Sequence, residues 1–209
     1  MARPPAFDTD VALMAAVDTF WRHGYSGSSM QRLLDAMKLN RGSLYNSFGD
    51  KRELFLASMD RYFQVFSVAV IQLLDNSPQP VRGLLEVFEI TMLGLTPEFR
   101  QRGCLLVNSM AELGDNDPEL AGYARRLSGQ VQSAFARALE RAKKQGFWTQ
   151  PHLDTQLTAD LLFNFMTGLR VTTRIQNNPA KLRQVVLHSF HALGLDFESL
   201  SPIDRRPHD

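Results

Sequence analysis

Apolar residues recur every three or four positions along most of the chain, and the polar residues between them gather where helices start and stop. Asp8 to His23 carries Val11, Leu13, Met14, Val17, Phe20 and Trp21 and runs into Gly24, which predicts a first helix packed on its neighbours. Ser28 or Ser29 caps a second, with Met30, Leu33, Leu34 and Met37 on one stripe. After a break at Lys38-Leu39, Asn40 caps a third, whose Leu44 and Phe48 face the same core, and Gly49 ends it. Asp50 then caps a longer helix from Lys51 to Leu74, with Leu54, Phe55, Met59, Phe63, Phe66, Val70 and Leu73 in helical register.

The same period continues to the end. Val81 to Leu93 reads as a helix closed by Gly94 and Pro97, and Gly103 to Leu113 as a short one. Asp117-Pro118, a cap followed by proline at the first helical position, opens a long helix to about Lys144. Asp154 opens a helix ending near Asn177-Asn178, and Pro179 starts a last one stopped by Gly194. No alternating stretch or hairpin signal competes. The predicted fold is all-α, with about nine helices. A three-helix head with a helix-turn-helix spans residues 1–50, a helical body residues 51–200, and a mobile, proline- and charge-rich tail residues 201–209.

Composition narrows the class. Hydrophobic content of 44% and charged content of 22% describe an ordinary globular chain. The greasiest run, Leu161 to Leu169, is too short to span a membrane, and Met1 to Pro5 lacks the apolar core of a secretory signal. A single cysteine excludes an internal disulfide. These features predict a cytoplasmic protein with no membrane partner. Net charge is only +1, yet Arg22 to Arg52 holds six cations against two anions, a basic head on a slightly acidic body.

Two short helices joined by a tight turn, the second carrying exposed polar residues, fit a protein rod into a DNA major groove. Arg41-Gly42-Ser43-Leu44-Tyr45-Asn46-Ser47-Phe48, followed by Lys51 and Leu54, resembles the Gly-x-Leu-Tyr-x-x-Phe and Lys-x-x-Leu signature of the tetracycline-repressor (TetR) family. The likeness reaches back through Gly24-Tyr25 and Ser28-Ser29 and covers about the first quarter of the chain. It departs at Lys38, where a turn glycine is usual, and at Ser47, where histidine is frequent. Helix amino termini at Ser28-Ser29 and at Asp50-Lys51 are suited to clamp phosphates, with Lys51 and the Tyr45 hydroxyl assisting. Arg41, Ser43, Asn46 and Ser47 lie towards the exposed face, and Gly42 permits close approach of the backbone. Arg41 meets either a base or a phosphate. Gln31 and Arg32 are further contacts or merely the wet face of their helix. The reading requires Arg41 and Tyr45 to be exposed.

The helix from Leu161 to Val171 is apolar nearly all round and must be covered on two sides, by the body's own core on one and by a second copy on the other. Leu161, Phe165 and Leu169, with Val186, Phe190 and Leu193 of the last helix, are the expected interface, and the resemblance implies a four-helix pairing of two subunits. It also implies an effector cavity in the body. The candidate lining is Phe63, Phe66, Phe88, Met92, Phe99, Val107, Met110, Phe135, Phe163 and Met166, with Asn108, Glu112, Asn164, Thr167 and Arg170 as polar groups. Trp21 reads as core. Cys104 is either a small buried apolar residue or a reactive thiol: it lies near a helix amino terminus after Arg100 and Arg102. Its Gly-Cys-Leu-Leu-Val-Asn segment is similar to one in a TetR subgroup that includes an electrophile-responsive repressor.

No Gly-x-Ser-x-Gly, phosphate-loop or dinucleotide fingerprint occurs, and no glutamate has a histidine three residues later. His188 and His191 are three apart and could touch one metal, but two lone histidines on such a helix are more often core or surface groups. No enzyme, cofactor or metal is expected. The sequence predicts a one-component transcriptional regulator, a repressor bound as a homodimer to a pseudo-palindromic double-stranded operator and released by a small apolar or electrophilic effector. The alternative is a helical ligand-binding protein whose head has lost DNA affinity.

Overall fold

The computed structural model describes residues 7–175 and 178–195, all of them in helices and the turns between them, with no strand among the described residues. Polar caps set the starts. In α1 (Thr9–His23) the Asp8 carboxylate accepts from the Asp10 and Val11 amides. In α2 (Met30–Met37) the Ser29 hydroxyl accepts from Arg32, and in α3 (Arg41–Phe48) the Asn40 side chain accepts from Ser43. Asp50 and Glu53 form a reciprocal capping box that starts α4 (Lys51–Asn76).

Between α2 and α3 the chain turns without glycine. Lys38 takes the left-handed conformation, φ 55°, and is the one described non-glycine residue with positive φ. Its amide donates to Asp35 O and the next amide, of Leu39, reaches back to Leu34 O at 3.0 Å. This double closure is a Schellman turn, and it holds a lysine where the family resemblance places glycine.

The head is closed by α1 lying on α4. Phe20 meets Phe55 edge-on at 4.8 Å and Trp21 meets Tyr62 at 5.0 Å. Ala12, Ala16, Val17 and Phe20 face inward, whereas Val11, expected on that face, is exposed. By length and composition alone, α4 is apolar enough to cross a membrane, contrary to the expectation that no segment is. Leu54, Phe55, Met59 and Leu74 are fully buried instead, so one face of the helix belongs to the protein's own core, while Val65 and Phe66 remain exposed.

In the body, the carboxyl half of α4, α5 (Pro80–Phe88), α7 (Leu105–Leu113) and α9 (Thr155–Thr172) surround α8 (Pro118–Lys144); α6 (Pro97–Arg102) leads into α7, and α10 (Pro179–Ala192) closes one side. The buried face of α8 is rich in alanine, Ala121, Ala124, Ala134, Ala138 and Ala142, so neighbouring helices approach closely. The short α6 lies in what the sequence reads as a closing turn. The expected end of α9 near Asn177-Asn178 is earlier in the structure, at Thr172, and residues 176 and 177 and the tail 201–209 lie outside the described residues. Two wide turns with i to i+5 hydrogen bonding interrupt the regular ladder, one at Phe63–Ser67 within α4 and one at Glu89–Leu93 after α5.

Replacing Lys38 by glycine removes the Cβ strain of a left-handed lysine at some cost in chain entropy. Urea unfolding is expected to show a gain of about 0.5–1 kcal/mol.

Candidate nucleic-acid interface and body cavity

Of the eight residues of α3 only Leu44 is fully buried. Phe48 and Ser43 are half-buried, and Arg41, Gly42, Tyr45, Asn46 and Ser47 face outward, Tyr45 with 46% of its surface exposed. The required exposure of Arg41 and Tyr45 is therefore present. Ser29 is exposed beside the amino end of α2.

Ser28 is a correction. It is fully buried; its hydroxyl donates to Gly24 O at 2.6 Å and its amide to Tyr25 O, so neither is free for a phosphate. Sequence shows two adjacent serines and cannot say which one turns inward. Lys51 is half-buried with Nζ 4.4 Å over the Tyr25 ring, and burial lowers its pKa against the opposing pull of Glu112.

The count of free cations also changes. Arg22 pairs with Asp18 at 2.8 Å, and Arg52 reaches across to the body, gripping Asp117 with both terminal nitrogens and Glu119 at 2.6 Å. Its hydrogen bonds to Asp117 raise the Arg52 pKa and hold the Asp117 carboxyl below its ordinary value. Arg32, Lys38 and Arg41, all exposed, form no ion pair among the described residues.

Three further contacts join head to body. Glu112 of α7 accepts from the amides of Tyr25 and Ser26, at 2.9 and 2.7 Å. A Cβ at Gly24 (φ 71°) would collide with that carboxylate. Glu112, expected among groups that orient a ligand, is instead a clamp on the head. Arg102 pairs with Asp18 at 2.6 Å and lies across the rings of Trp21 and Phe99. Arg61 of α4 reaches Asp10 at 3.4 Å.

Two cavities lie where these elements meet. The larger, about 340 Å³, is walled by Trp21, Tyr62, Phe66, Ile90, Phe99 and Arg170. The smaller, about 40 Å³, lies against Cys104, with Phe163, Met166 and Thr167. Tyr62, Phe66, Val70 and Arg170 belong to both linings and form the partition. The wide turns bring Phe66, Ile90 and Thr91 to the larger cavity, a common use of such turns. Cys104 immediately precedes α7 and is 8% exposed; the Tyr62 hydroxyl donates to its Sγ at 3.5 Å. Burial pushes the Tyr62 phenol far up, with Cys104 adding and Arg170 opposing. Burial works against the Arg170 charge, but Cys104 and Tyr62 together keep its pKa raised.

Of the expected lining, Phe66, Phe99, Cys104, Val107, Phe163, Met166, Thr167 and Arg170 lie on the two cavities. Phe63, Phe88, Met92 and Phe135 do not: they are closed core, Phe88 stacking edge-on against Phe135 and Phe190. Asn108 donates to Arg102 O at 2.8 Å and shapes the corner before Cys104, while Asn164 faces solvent. Trp21 and Tyr62 were not expected as cavity residues. Tyr62 precedes Phe66 by four, so it shares a helix face with a candidate. No local signal places Trp21 there.

Leu169, Val186 and Phe190 are also corrected: all three are buried within the subunit. On α9 the inner face is Leu162, Met166 and Leu169. The outer face is Leu157, Leu161 and Val171, the last two 53% and 50% exposed. Phe165 and Leu193 are half-buried and, with Leu161 and Leu162, line a groove between α9 and α10 of about 200 Å³.

A small all-helical head whose third helix faces outward, on a helical body with a cavity at its junction with the head, is the architecture of a helix-turn-helix regulator. The profile "Bacterial regulatory proteins, tetR family" matches residues 12–58, and "Tetracyclin repressor-like, C-terminal domain" matches residues 80–188. The chain belongs to the TetR family of transcriptional regulators, and it is not an enzyme. It is 36% identical over 146 residues to YezE, an HTH-type transcriptional regulator of Bacillus subtilis, covering 70% of this chain and 75% of that one. With the HTH-type transcriptional repressor ComR of Escherichia coli it shares 27% identity over 184 residues, 88% of this chain and 87% of that one. Among solved structures it resembles the TetR family regulator CifR in complex with 26-base-pair operator DNA, with TM-score 0.81 and 28% identity over 91% of this chain and 99% of that one.

Replacing Glu112 by alanine leaves the Tyr25 and Ser26 amides without their acceptor. Urea denaturation should register a loss of about 1–3 kcal/mol, and amide exchange at residues 24–28 should quicken.

Proposed function

We propose that this regulator is a repressor that binds a pseudo-palindromic operator as a homodimer, and that a small apolar or electrophilic effector in the body releases it. The observation that carries the reading is α3, held by one buried leucine and presenting Arg41, Tyr45, Asn46 and Ser47 to solvent beside the capped amino end of α2. A helix so presented reads base edges through arginine and asparagine and meets phosphate through hydroxyls. The head over residues 1–50 is the DNA-binding unit, and residues 51–200 hold effector and partner. CifR, solved in complex with its 26-base-pair operator, gives a physical picture of such a complex.

The dimer surface is the outer face of α9, Leu161 with Leu157 and Val171, together with Phe165 and Leu193 along the groove to α10. An exposed apolar stripe of this kind is covered in a stable assembly. Pairing there sets two copies of α3 about one helical turn of DNA, roughly 34 Å, apart. Cys104, with the Tyr62 hydroxyl donating to it, is the place where an electrophile would act, and the cytoplasm, a reducing compartment, keeps such a lone thiol free.

Mobility shifts on the DNA upstream of its own coding region test the reading. Arg41→Ala is expected to weaken binding by about 1–3 kcal/mol if it reads a base, or to lower the salt slope by about one if it meets a phosphate. Wild-type protein that shifts no such DNA at low salt would favour a ligand-binding protein with an inactive head. Leu161→Glu should convert the dimer to monomer in sedimentation and abolish the shift. A wild-type monomer would sink the dimeric operator.

A further inference from the structure

We propose that the larger cavity takes a small arylcarboxylate, and that this ligand touches the DNA-binding head directly, through Trp21. The inference rests on the reading of the protein as an effector-released regulator, and it replaces the apolar or electrophilic effector of that reading with an aromatic anion.

The walls of the cavity come from both halves of the molecule. Trp21 belongs to α1 of the head, Tyr62 and Phe66 to the connecting helix, Phe99 to α6 and Arg170 to α9. The rings of Tyr62, Phe66 and Phe99 stand edge-on to the Trp21 indole at 5.0, 5.3 and 6.1 Å. Such walls favour a flat aromatic body, and about 340 Å³ is enough for a bicyclic ring.

The polar groups select the other end of the ligand. Arg170 is the one charged side chain in the lining, and no carboxylate lines the cavity. The Trp21 indole N–H and the Arg170 Nε–H are both buried without a hydrogen-bond partner. Indole and guanidinium are donors only, so neither can satisfy the other. Both nitrogens are closed to solvent in this structure, so a ligand reaches them only as the walls around it shift, and two unanswered donors beside a positive charge then call for an acceptor that is itself negative. A neutral hydrocarbon would leave both unpaired, and a cation would meet the guanidinium.

Contact with Trp21 also supplies a route to DNA. Arg102 lies across both Trp21 and Phe99 and pairs with Asp18, one turn before Trp21 on α1. A ligand that moves the indole therefore disturbs the aromatic and ionic contacts seating α1, which carries the rest of the head.

The test is isothermal titration of the full chain with 2-naphthoate and with neutral 2-naphthylmethanol, beside an operator mobility shift. The acid should bind roughly tenfold or more tighter than the alcohol, the gain of a charge-assisted bond. Arg170→Met should erase that preference while keeping the alcohol's affinity, and Arg170→Lys should keep part of it. Should the methionine variant fail to fold, as judged by circular dichroism, the lysine variant and Trp21→Phe, expected to bind the acid several-fold more weakly, carry the test. Naphthoate should release operator from wild-type protein. The proposal is overturned if naphthoate does not bind, if the alcohol binds as tightly, or if the Arg170 variants keep the full preference. Protein that holds its operator but ignores naphthoate refutes the ligand class alone; protein that binds naphthoate but no DNA refutes the regulator reading instead.

Discussion

The recognition helix cannot hold itself in place. With one fully buried residue in eight, α3 has too little apolar surface to fix its own direction, so its aim is inherited from α1, α2 and above all α4. The helix α4 is 26 residues long, about 39 Å at the usual rise, and its two ends belong to different parts of the molecule. The amino end carries the head through Phe55 against Phe20; the carboxyl end is anchored in the body, where Arg141 of α8 donates to the carbonyls of Leu74, Asp75 and Ser77. A change felt along α4 must reach α3, because little else restrains it.

Head and body are then tied by contacts of unequal strength. The Arg52 pair with Asp117 and Glu119 and the Arg102 pair with Asp18 are partly open to water, where ion pairs contribute modestly and are screened by salt. The Glu112 clamp differs, since it answers two backbone amides at a glycine corner too tight for any side chain. A seam made of many modest contacts around one firm hinge can shift without unfolding, which a switchable regulator requires.

How much of this was legible in the sequence follows the range of each interaction. The caps at Asn40, Asp50, Asp117 and Asp154 act within three residues and were readable as written, whereas at Ser28-Ser29 the sequence left two candidates and the structure selects Ser29. The all-helical fold followed from them and from the period of the apolar residues. Long-range pairing was not legible: nothing near Arg52 indicates that its charge is spent on Asp117, 65 positions away. Nor does periodicity choose between two apolar faces of one helix. Leu161 and Leu169 both lie on an apolar α9, yet one faces solvent and the other the core. The same ambiguity put Phe88 and Phe135 in the expected cavity and left Trp21 out, because a cavity is where packing fails to close, and that depends on shapes contributed by distant elements.

Trp21 shows why that failure of closure bears on control. Its ring is buried against three aromatic neighbours, which stabilises the junction of head and body, while its indole N–H is left without an acceptor, which costs free energy in the empty protein. Arg170 is in the same position from the opposite wall, its Nε–H unanswered while the guanidinium keeps its charge. An occupant that satisfies both donors gains most in the arrangement that lets both reach it, and that arrangement need not be the one that suits DNA. In the proposed switch, the coupling between cavity and operator would be the difference between those two demands on one side chain. It requires no path through the body, because the residue at the cavity wall already belongs to the helix that seats the head.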